Sequence, residues 1–169
     1  MTRGGLAFGV VLFGALALAV DVRFGVAGPR VNLSPSIPVG LYWFAPATTF
    51  EKGEIVVACF DGDAARFMRR VSDLGDGTCP SGIEPAAKVV AAVSPDVVSF
   101  GRDGVRVNGA LWPMSRPIAR YGPQSGSITL APGKVLLMGL HPFSVDGRYI
   151  GDTPARAIVG TWSPLLTKG

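Results

Sequence analysis

The sequence has few of the residues from which metal and redox sites are built. It contains one histidine and two cysteines among 169 residues, and it has no Cys-x-x-Cys, His-Glu-x-x-His, P-loop or Gly-x-Gly-x-x-Gly pattern. A zinc site, a phosphate-binding loop and a bound cofactor are therefore not predicted. The net charge of +4 comes from scattered basic residues, without the basic stripe and interleaved aromatic residues typical of nucleic-acid binding. We accordingly expect no metal, no cofactor and no nucleic-acid partner.

Glycine and proline, in contrast, are abundant, with 23 and 14 residues. Both residue types interrupt helices and favour turns, so this composition favours a turn-rich β architecture over a helical bundle. A chain of 169 residues is long enough for one membrane segment and one domain with a real core.

The N-terminal segment, residues 4–20, is a run of seventeen uncharged and mostly apolar residues. Its length is at the short end of what spans a bilayer, and Arg3 before it is a weak cue for a cytoplasmic N-terminus. We therefore predict an uncleaved transmembrane anchor. A cleaved secretory signal is the main alternative, because residues 17–19 (ALA) resemble a cleavage site, and a buried core helix is a third. The first two interpretations both imply that residues 21–169 are exported across the membrane.

Beyond this segment, short apolar runs alternate with turn residues, which predicts many short strands. The predicted strands are residues 40–45, 54–60, 88–93, 96–100, 105–107, 110–112, 127–130, 134–138 and 157–162. Residues 61–74 instead predict a short helix, which either Asp61 or Asp63 can cap. The sequence thus predicts a mainly β fold: an anchor and linker over residues 1–28, then a compact β-barrel or sandwich with a short helical insertion over residues 29–169.

The two cysteines lie twenty residues apart, Cys59 at the end of a predicted strand and Cys79 in the loop after the predicted helix. Because exported domains fold in oxidising compartments, we expect these residues to form a disulfide that closes the intervening excursion. The alternative is two unpaired thiols.

Ser34 and Ser36 lie in a proline-rich loop, where Pro35 and Pro38 restrict the backbone of the residues before them. Such a loop can present a hydroxyl group rigidly, as a nucleophile must be presented. On its own, the stretch favours a proline-rich entry loop in which the serines have no role, because short motifs often match by chance.

A serine nucleophile needs a base, and the chain offers two kinds. The only histidine, His141, suggests a Ser-His-Asp triad with Asp146, but the Gly-x-Ser-x-Gly elbow is absent. Among the four lysines, Lys88 alone lies within an apolar strand, on the face that strand alternation assigns to Ala86, Val90 and Ala92. An ammonium group on an apolar face has a lowered pKa, and the neutral amine can accept a serine proton. A lysine that reaches water from a strand edge is the alternative.

Four segments together resemble the membrane-anchored signal peptidases, and more closely the branch that serves plasmid conjugation, the TraF-type peptidases. The segments are residues 36–42 (SIPVGLY), 88–98 (KVVAAVSPDVV), 105–109 (VRVNG) and 138–151 (MGLHPFSVDGRYIG). They resemble the nucleophile box, the lysine box, the hairpin that follows it and the box that ends the domain, in the order of the family. The resemblance implies a signal-peptidase-like β fold without the large second domain of some housekeeping enzymes.

The same resemblance implies roles for individual residues. Ser36 would be the nucleophile and Lys88 the general base, and the Ser34 hydroxyl would form an oxyanion hole with the backbone N–H of Ser36. Ser144 would orient the lysine amine, while the pair Asp146 and Arg148 would support the site. The sequence departs from the family where Gly-Asp-Asn is replaced by residues 139–141 (GLH), so no role of those polar side chains is carried over.

The activity implied is that of a Ser/Lys-dyad endopeptidase in the bacterial inner membrane, with its catalytic domain in the periplasm. Its substrate would be a pilin-like precursor bound as an extended strand beside the Lys88 strand, and its reaction can be linked to circularisation of the product. Two alternatives stay open: a general signal peptidase I for secreted preproteins, and a non-catalytic anchored scaffold of an envelope assembly.

Overall fold

The computed structural model of the protein describes residues 26–72 and 74–168. The apolar segment at residues 4–20, predicted to be a membrane anchor, lies outside these residues. Within the described ranges, none of the helices has the length and apolar character needed to cross a bilayer.

The described residues form a mainly β structure of two antiparallel sheets. The strands are β1 (Gly28–Asn32), β2 (Gly40–Pro46), β3 (Ile55–Ala58), β4 (Ala86–Val93), β5 (Val97–Gly101), β6 (Gly104–Val107), β7 (Ala110–Leu111), β8 (Gly126–Thr129), β9 (Lys134–Met138), β10 (Thr153–Pro154) and β11 (Ile158–Thr167). The larger sheet has the order β1-β2-β11-β3-β4-β9-β10, and the smaller has the order β7-β6-β5-β8. The predicted mainly β fold is confirmed at this level.

The strand β4 lies inside the larger sheet, between β3 and β9. Its sequence AAKVVAAV is almost continuously apolar, and most of its residues are buried. A strand that is buried on both faces has such a continuously apolar sequence because neither face can carry solvated polar side chains. One face contributes Val90 to the main core cluster, and the other contributes Val89 to a smaller cluster with Ile37 and Tyr42.

The helical insertion predicted after β3 is α1 (Gly62–Val71). Asp61 occupies the N-cap position, although its side chain makes no capping hydrogen bond, and the helix buries Ala65 and Met68 against the main core. Cys59 and Cys79 form a disulfide, with their Cα atoms 5.3 Å apart. The predicted pairing is therefore present, and it joins the end of β3 to the loop beyond the helix.

Two elements near the predicted site were not expected from the sequence, nor was the two-residue strand β10. Residues 28–32 form β1, although their run GPRVN lacks the apolar alternation of a predicted strand, because β2 supplies a complete antiparallel partner. Within the predicted loop 139–151 lies a short helix, α2 (Gly147–Ile150), whose first turn is capped by the Asp146 carboxylate. Both elements border the segments that carry the predicted site residues.

Candidate active site

Ser36 lies in the loop that joins β1 to β2. The pairing of Asn32 with Gly40 closes this loop at its base, and Ser36 is half-buried while Ser34 is exposed. Gly40 is required by close packing: a Cβ atom there would lie 2.2 Å from the carbonyl oxygen of Leu166 in β11. The glycine therefore lets β11 approach the base of the loop and fixes its position relative to the sheet.

Three hydrogen bonds surround Ser36. The Ser144 hydroxyl donates to the Ser36 hydroxyl at 3.2 Å, and the Leu140 N–H donates to the Ser36 carbonyl at 2.7 Å. The Ser36 N–H donates to the Ser34 hydroxyl oxygen at 3.3 Å. The Ser36 N–H is thus bonded to the Ser34 hydroxyl oxygen itself, and a role of these two groups in binding an oxyanion stays a prediction.

Gly139 is the point where the two serines and the chain after β9 come together. A Cβ atom at this position would lie 2.0 Å from the Ser144 hydroxyl oxygen and 3.2 Å from the Ser36 carbonyl oxygen. No side chain fits between these groups, so the glycine is what allows Ser144 to approach Ser36.

Lys88 is buried in the centre of β4, with 4% of its surface exposed. Burial is the main cause that lowers the pKa of its amine, from 10.5 to about 8; the negative charge of Asp146 opposes this shift and the positive charge of Arg148 adds to it. Its face is shared with Ala86 and Val90, as predicted, both of which belong to the main core cluster. A lysine with this pKa has a substantial neutral fraction near pH 8, so its amine can act as a base.

The predicted assignment of Ala92 to the same face is wrong. Ala92 packs into the cluster formed with the smaller sheet, because the register of β4 against β9 shifts between Val90 and Ala92. Such an irregularity turns the following side chains to the opposite face.

Two relationships bring Lys88 and Ser36 into the same region. Val89, the next residue after Lys88, packs in one cluster with Ile37, the next residue after Ser36. Val89 also pairs with Met138, the last residue of β9. Continuing this antiparallel register by one residue places Lys88 opposite Gly139. Direct contact between the Lys88 amine and the Ser36 hydroxyl stays a prediction, and so does the predicted bond from Ser144 to Lys88; the bond of Ser144 described above is to Ser36.

Asp146 and Arg148 form a buried ion pair, with exposed fractions of 0% and 1%. Arg148 Nε lies 2.8 Å from Oδ1 of Asp146, and Nη2 lies 2.9 Å from Oδ2, which is bidentate geometry. The Asp146 carboxylate also accepts from the Gly139 N–H at 2.8 Å, and Arg148 Nη1 donates to the carbonyls of Met114 and Pro142. The pair therefore holds the chain around Gly139 and Ser144 in place.

His141 is not arranged as the base of a triad. Its Nδ1 accepts from the Phe143 N–H at 3.3 Å, and its ring packs against the Phe143 ring. The Asp146 carboxylate, which would have to orient the imidazole, is hydrogen-bonded to Arg148 and to Gly139. Of the two bases considered from the sequence, the structure therefore favours Lys88.

Sequence reasoning assigned no role to Asn32 or Tyr42, although both lie in or beside the serine loop. The Asn32 side chain makes four hydrogen bonds within the loop, and the Tyr42 hydroxyl donates to the Pro38 carbonyl at 2.6 Å. The available signal was the asparagine two residues before Ser34, because asparagine side chains commonly bond the backbone two residues ahead.

Comparison with known proteins places the chain in a family. The family profile described as "Signal peptidase, peptidase S26" matches residues 4–166. The chain is 39% identical over 178 residues to a plasmid transfer protein TraF of Escherichia coli, covering 96% of both chains. It is 30% identical over 148 residues to a conjugal transfer protein TraF of Agrobacterium tumefaciens (strain 15955), covering 83% of each.

Among solved structures, a signal peptidase I from Enterococcus faecalis V583 matches 68% of this chain and 97% of its own, with 15% identity and a TM-score of 0.41. The profile match spans nearly the whole sequence, and the relatives cover most of it at 30% identity or more. This chain is therefore a member of the signal peptidase family S26.

Proposed function

We propose that this protein is a membrane-anchored endopeptidase that cleaves exported precursors, with Ser36 as the nucleophile and Lys88 as the general base. The observation that carries this proposal is the buried amine of Lys88, whose pKa is lowered to about 8, on a strand that packs against the residue next to Ser36. Membership of the signal peptidase family supports the same reaction class.

In the proposed mechanism, the neutral amine of Lys88 accepts the proton of the Ser36 hydroxyl as its oxygen attacks a peptide carbonyl carbon. The Ser34 hydroxyl and the Ser36 N–H donate to the resulting oxyanion, and losing one such donor typically costs about 2.7–4 kcal/mol. The Lys88 ammonium then protonates the leaving amine, which leaves an acyl-enzyme ester on Ser36. Water hydrolyses the ester, or an amine of the substrate attacks it and forms a new peptide bond.

The substrate is proposed to bind as an extended strand beside β4. Pairing of β4 with β9 begins at Val89, whereas Ala86 to Lys88 are paired only with β3 on the other side. On the β9 side, the backbone of residues 86–88 therefore has no ladder partner among the described strands, and a substrate strand bound there would gain affinity through its backbone hydrogen bonds. In this arrangement the scissile bond would lie close to both Lys88 and the serine loop.

The proposed substrate is the pilin precursor of a plasmid-transfer apparatus. The support is that relatives matching nearly the whole chain are named plasmid transfer proteins. The apolar segment at residues 4–20 would hold the catalytic domain at the periplasmic face of the inner membrane, where such precursors emerge.

The test uses the full chain in membranes of an expression host. The membranes are mixed with a candidate pilin precursor and, separately, with an ordinary secreted preprotein. Ser36→Ala and Lys88→Met should each abolish cleavage, as measured by mass spectrometry of the products. Lys52→Met is the matched control, because Lys52 forms an exposed ion pair with Asp96 and has no contact with the site. A circular product would be lighter than the linear one by one water molecule.

Each outcome is informative. Cleavage of the pilin precursor alone supports the proposal, and cleavage of the preprotein as well would make the enzyme a general signal peptidase. Full activity of both the Ser36→Ala and Lys88→Met variants would overturn the dyad. If the unaltered chain cleaves neither substrate, the result would favour a non-catalytic scaffold protein.

A further inference from the structure

The side chain of Asn32 lies inside the serine loop, with only 5% of the residue exposed. Its Nδ2 donates to the carbonyl oxygens of Ser34 at 2.8 Å, Ile37 at 3.2 Å and Pro38 at 3.0 Å. Its Oδ1 accepts from the Ser34 N–H at 3.0 Å. One side chain therefore bonds the backbone on both sides of Ser36.

This arrangement requires an amide group. Three carbonyl oxygens surround one terminal atom of the side chain, and a backbone N–H faces the other, so only a group with donors at one end and an acceptor at the other satisfies both. Aspartate has the same shape, but its carboxylate would direct negative charge at three carbonyl oxygens. Alanine would remove all four bonds, including the buried one to the Ile37 carbonyl, and an unmade bond to a buried group is costly.

Tyr42 acts on the same loop from the core. Its hydroxyl donates to the Pro38 carbonyl at 2.6 Å, so it shares this acceptor with Asn32. The Tyr42 ring is fully buried and stacks on Trp162 of β11 at 5.2 Å, which ties the hydroxyl to the sheet. The Pro38 carbonyl is thus held by two donors that come from different directions.

The backbone of Ser36 itself is bonded to Leu140 and to the Ser34 hydroxyl, but these partners lie in a second loop and on an exposed side chain. The bonds from Asn32 and Tyr42 fix the loop to β1 and β2, and the Lys168 N–H just after β11 donates to the Val39 carbonyl at 2.9 Å. Displacing a reacting group by about 1 Å can cost about 100-fold in rate, so the precision of this loop matters for attack by Ser36.

We propose that Asn32 is a positioning residue for the nucleophile, and that Tyr42 supports it through the shared carbonyl of Pro38. The inference rests on the proposed function, since it concerns the attack by Ser36. Asn32 holds the loop in the conformation from which the Ser36 hydroxyl reaches the substrate carbonyl. Its loss therefore lowers the rate of the chemical step more than it weakens substrate binding.

The experiment measures kcat and KM for peptide cleavage by the full chain in detergent, with the variants Asn32→Asp, Asn32→Ala and Tyr42→Phe. We expect kcat to fall about 10- to 100-fold in the Asn32 variants, with KM changed less than about threefold, and about threefold to tenfold in Tyr42→Phe. Because both side chains act on one carbonyl, the double variant Asn32→Ala with Tyr42→Phe should lose less than the product of the single losses.

The matched control is Asn108→Asp. Asn108 also holds a turn through its amide, donating to Asp96 and accepting from the Val97 N–H, but in the smaller sheet. The Asn108→Asp variant should lose stability and keep kcat within about twofold. If Asn32 had a purely structural role, the Asn32 variants would likewise lose stability without losing kcat. Thermal unfolding of every variant is measured, and kcat is compared well below each midpoint.

Hydrogen exchange separates failure of this inference from failure of the proposed function. The Ser34 amide should exchange faster in Asn32→Ala, with or without activity. Folded Asn32 variants with unchanged kcat, or with a raised KM alone, would overturn the positioning role. If Asn32→Asp and Asn32→Ala do not fold, Tyr42→Phe decides: unchanged kcat would count against the inference. Full activity of Ser36→Ala would instead refute the nucleophile itself.

Discussion

The hydroxyl group of Ser144 donates a hydrogen bond to that of Ser36 across 3.2 Å, although 108 residues separate them in the chain. The contact is possible because Gly139 lies beside Ser144 without a side chain. The Asp146 carboxylate accepts from the N–H of this glycine and is itself fixed by Arg148. A buried ion pair thus determines where the second serine meets the first.

Gly139→Ala should disrupt this contact, because its Cβ atom would overlap the Ser144 hydroxyl, which lies 2.0 Å away. We expect proteolysis to fall about 100-fold, measured as kcat/KM on a peptide substrate, since the site would shift by a large fraction of an ångström. Adding Ser144→Gly to this variant removes the colliding atoms. The double variant should therefore be as active as Ser144→Gly alone. A double variant that stays below Ser144→Gly, or a fully active Gly139→Ala variant, would show that the packing described here is wrong.

The activity of the enzyme should rise with pH. In the proposed mechanism Lys88 is the base and must be neutral to act, and its amine has a pKa lowered to about 8, mainly by burial. Below this value kcat/KM should fall about tenfold for each pH unit, and above it the rate should reach a plateau. Initial rates between pH 5.5 and 9.5 measure the profile.

His141 provides the control for that profile. His141→Ala should leave the midpoint near 8, whereas a midpoint that moves, or a rise that disappears, in this variant would show that the wrong base has been assigned.

Lys88→Met should stabilise the protein at neutral pH while it abolishes activity. The pKa of Lys88 is about 8 in the folded protein and 10.5 as an ordinary lysine, so the unfolded chain binds more protons between these values. The penalty for burying the charge is present in full below about pH 8 and disappears as the pH rises through 10.5. Methionine has a similar length and no charge to bury.

The expected gain is about 3 kcal/mol at pH 7 and close to zero above pH 10.5. Chemical denaturation of the variant and of the unaltered chain at several pH values measures it. A gain that does not change with pH would show that improved packing, and not charge burial, is its cause.

Removal of the disulfide should lower stability and leave the site intact. The bond between Cys59 and Cys79 closes a loop of 20 residues, so its loss should cost about 3 kcal/mol through the unfolded chain. The double variant with Cys59→Ser and Cys79→Ser should unfold at a lower denaturant concentration. It should keep kcat, because the loop closed by the disulfide, which includes α1, lies away from the serine loop. Loss of kcat in the folded variant would contradict this separation.

Much of the architecture was predictable, because apolar runs and turn residues are local signals. The strand β4, the hairpin of β5 and β6 and the helix α1 all lie where the periodicity predicted them. β1 was not predicted, since its few apolar residues become a strand only beside β2. The short helix α2 was also not predicted, because it is held by a buried ion pair within what reads locally as a loop.

For the site, the sequence alone determined which residues are chemically suited to it: a serine between prolines, a lysine within an apolar strand and the residues that resemble a peptidase family. Only the tertiary structure decided that Ser144 contacts Ser36, that Asp146 bonds to Gly139 and not to His141, and that Asn32 bonds the loop from inside. The physical reason is distance. Residue type and local spacing can be read from the sequence. Contacts between residues far apart in the sequence form only when the sheets pack and bury those residues together.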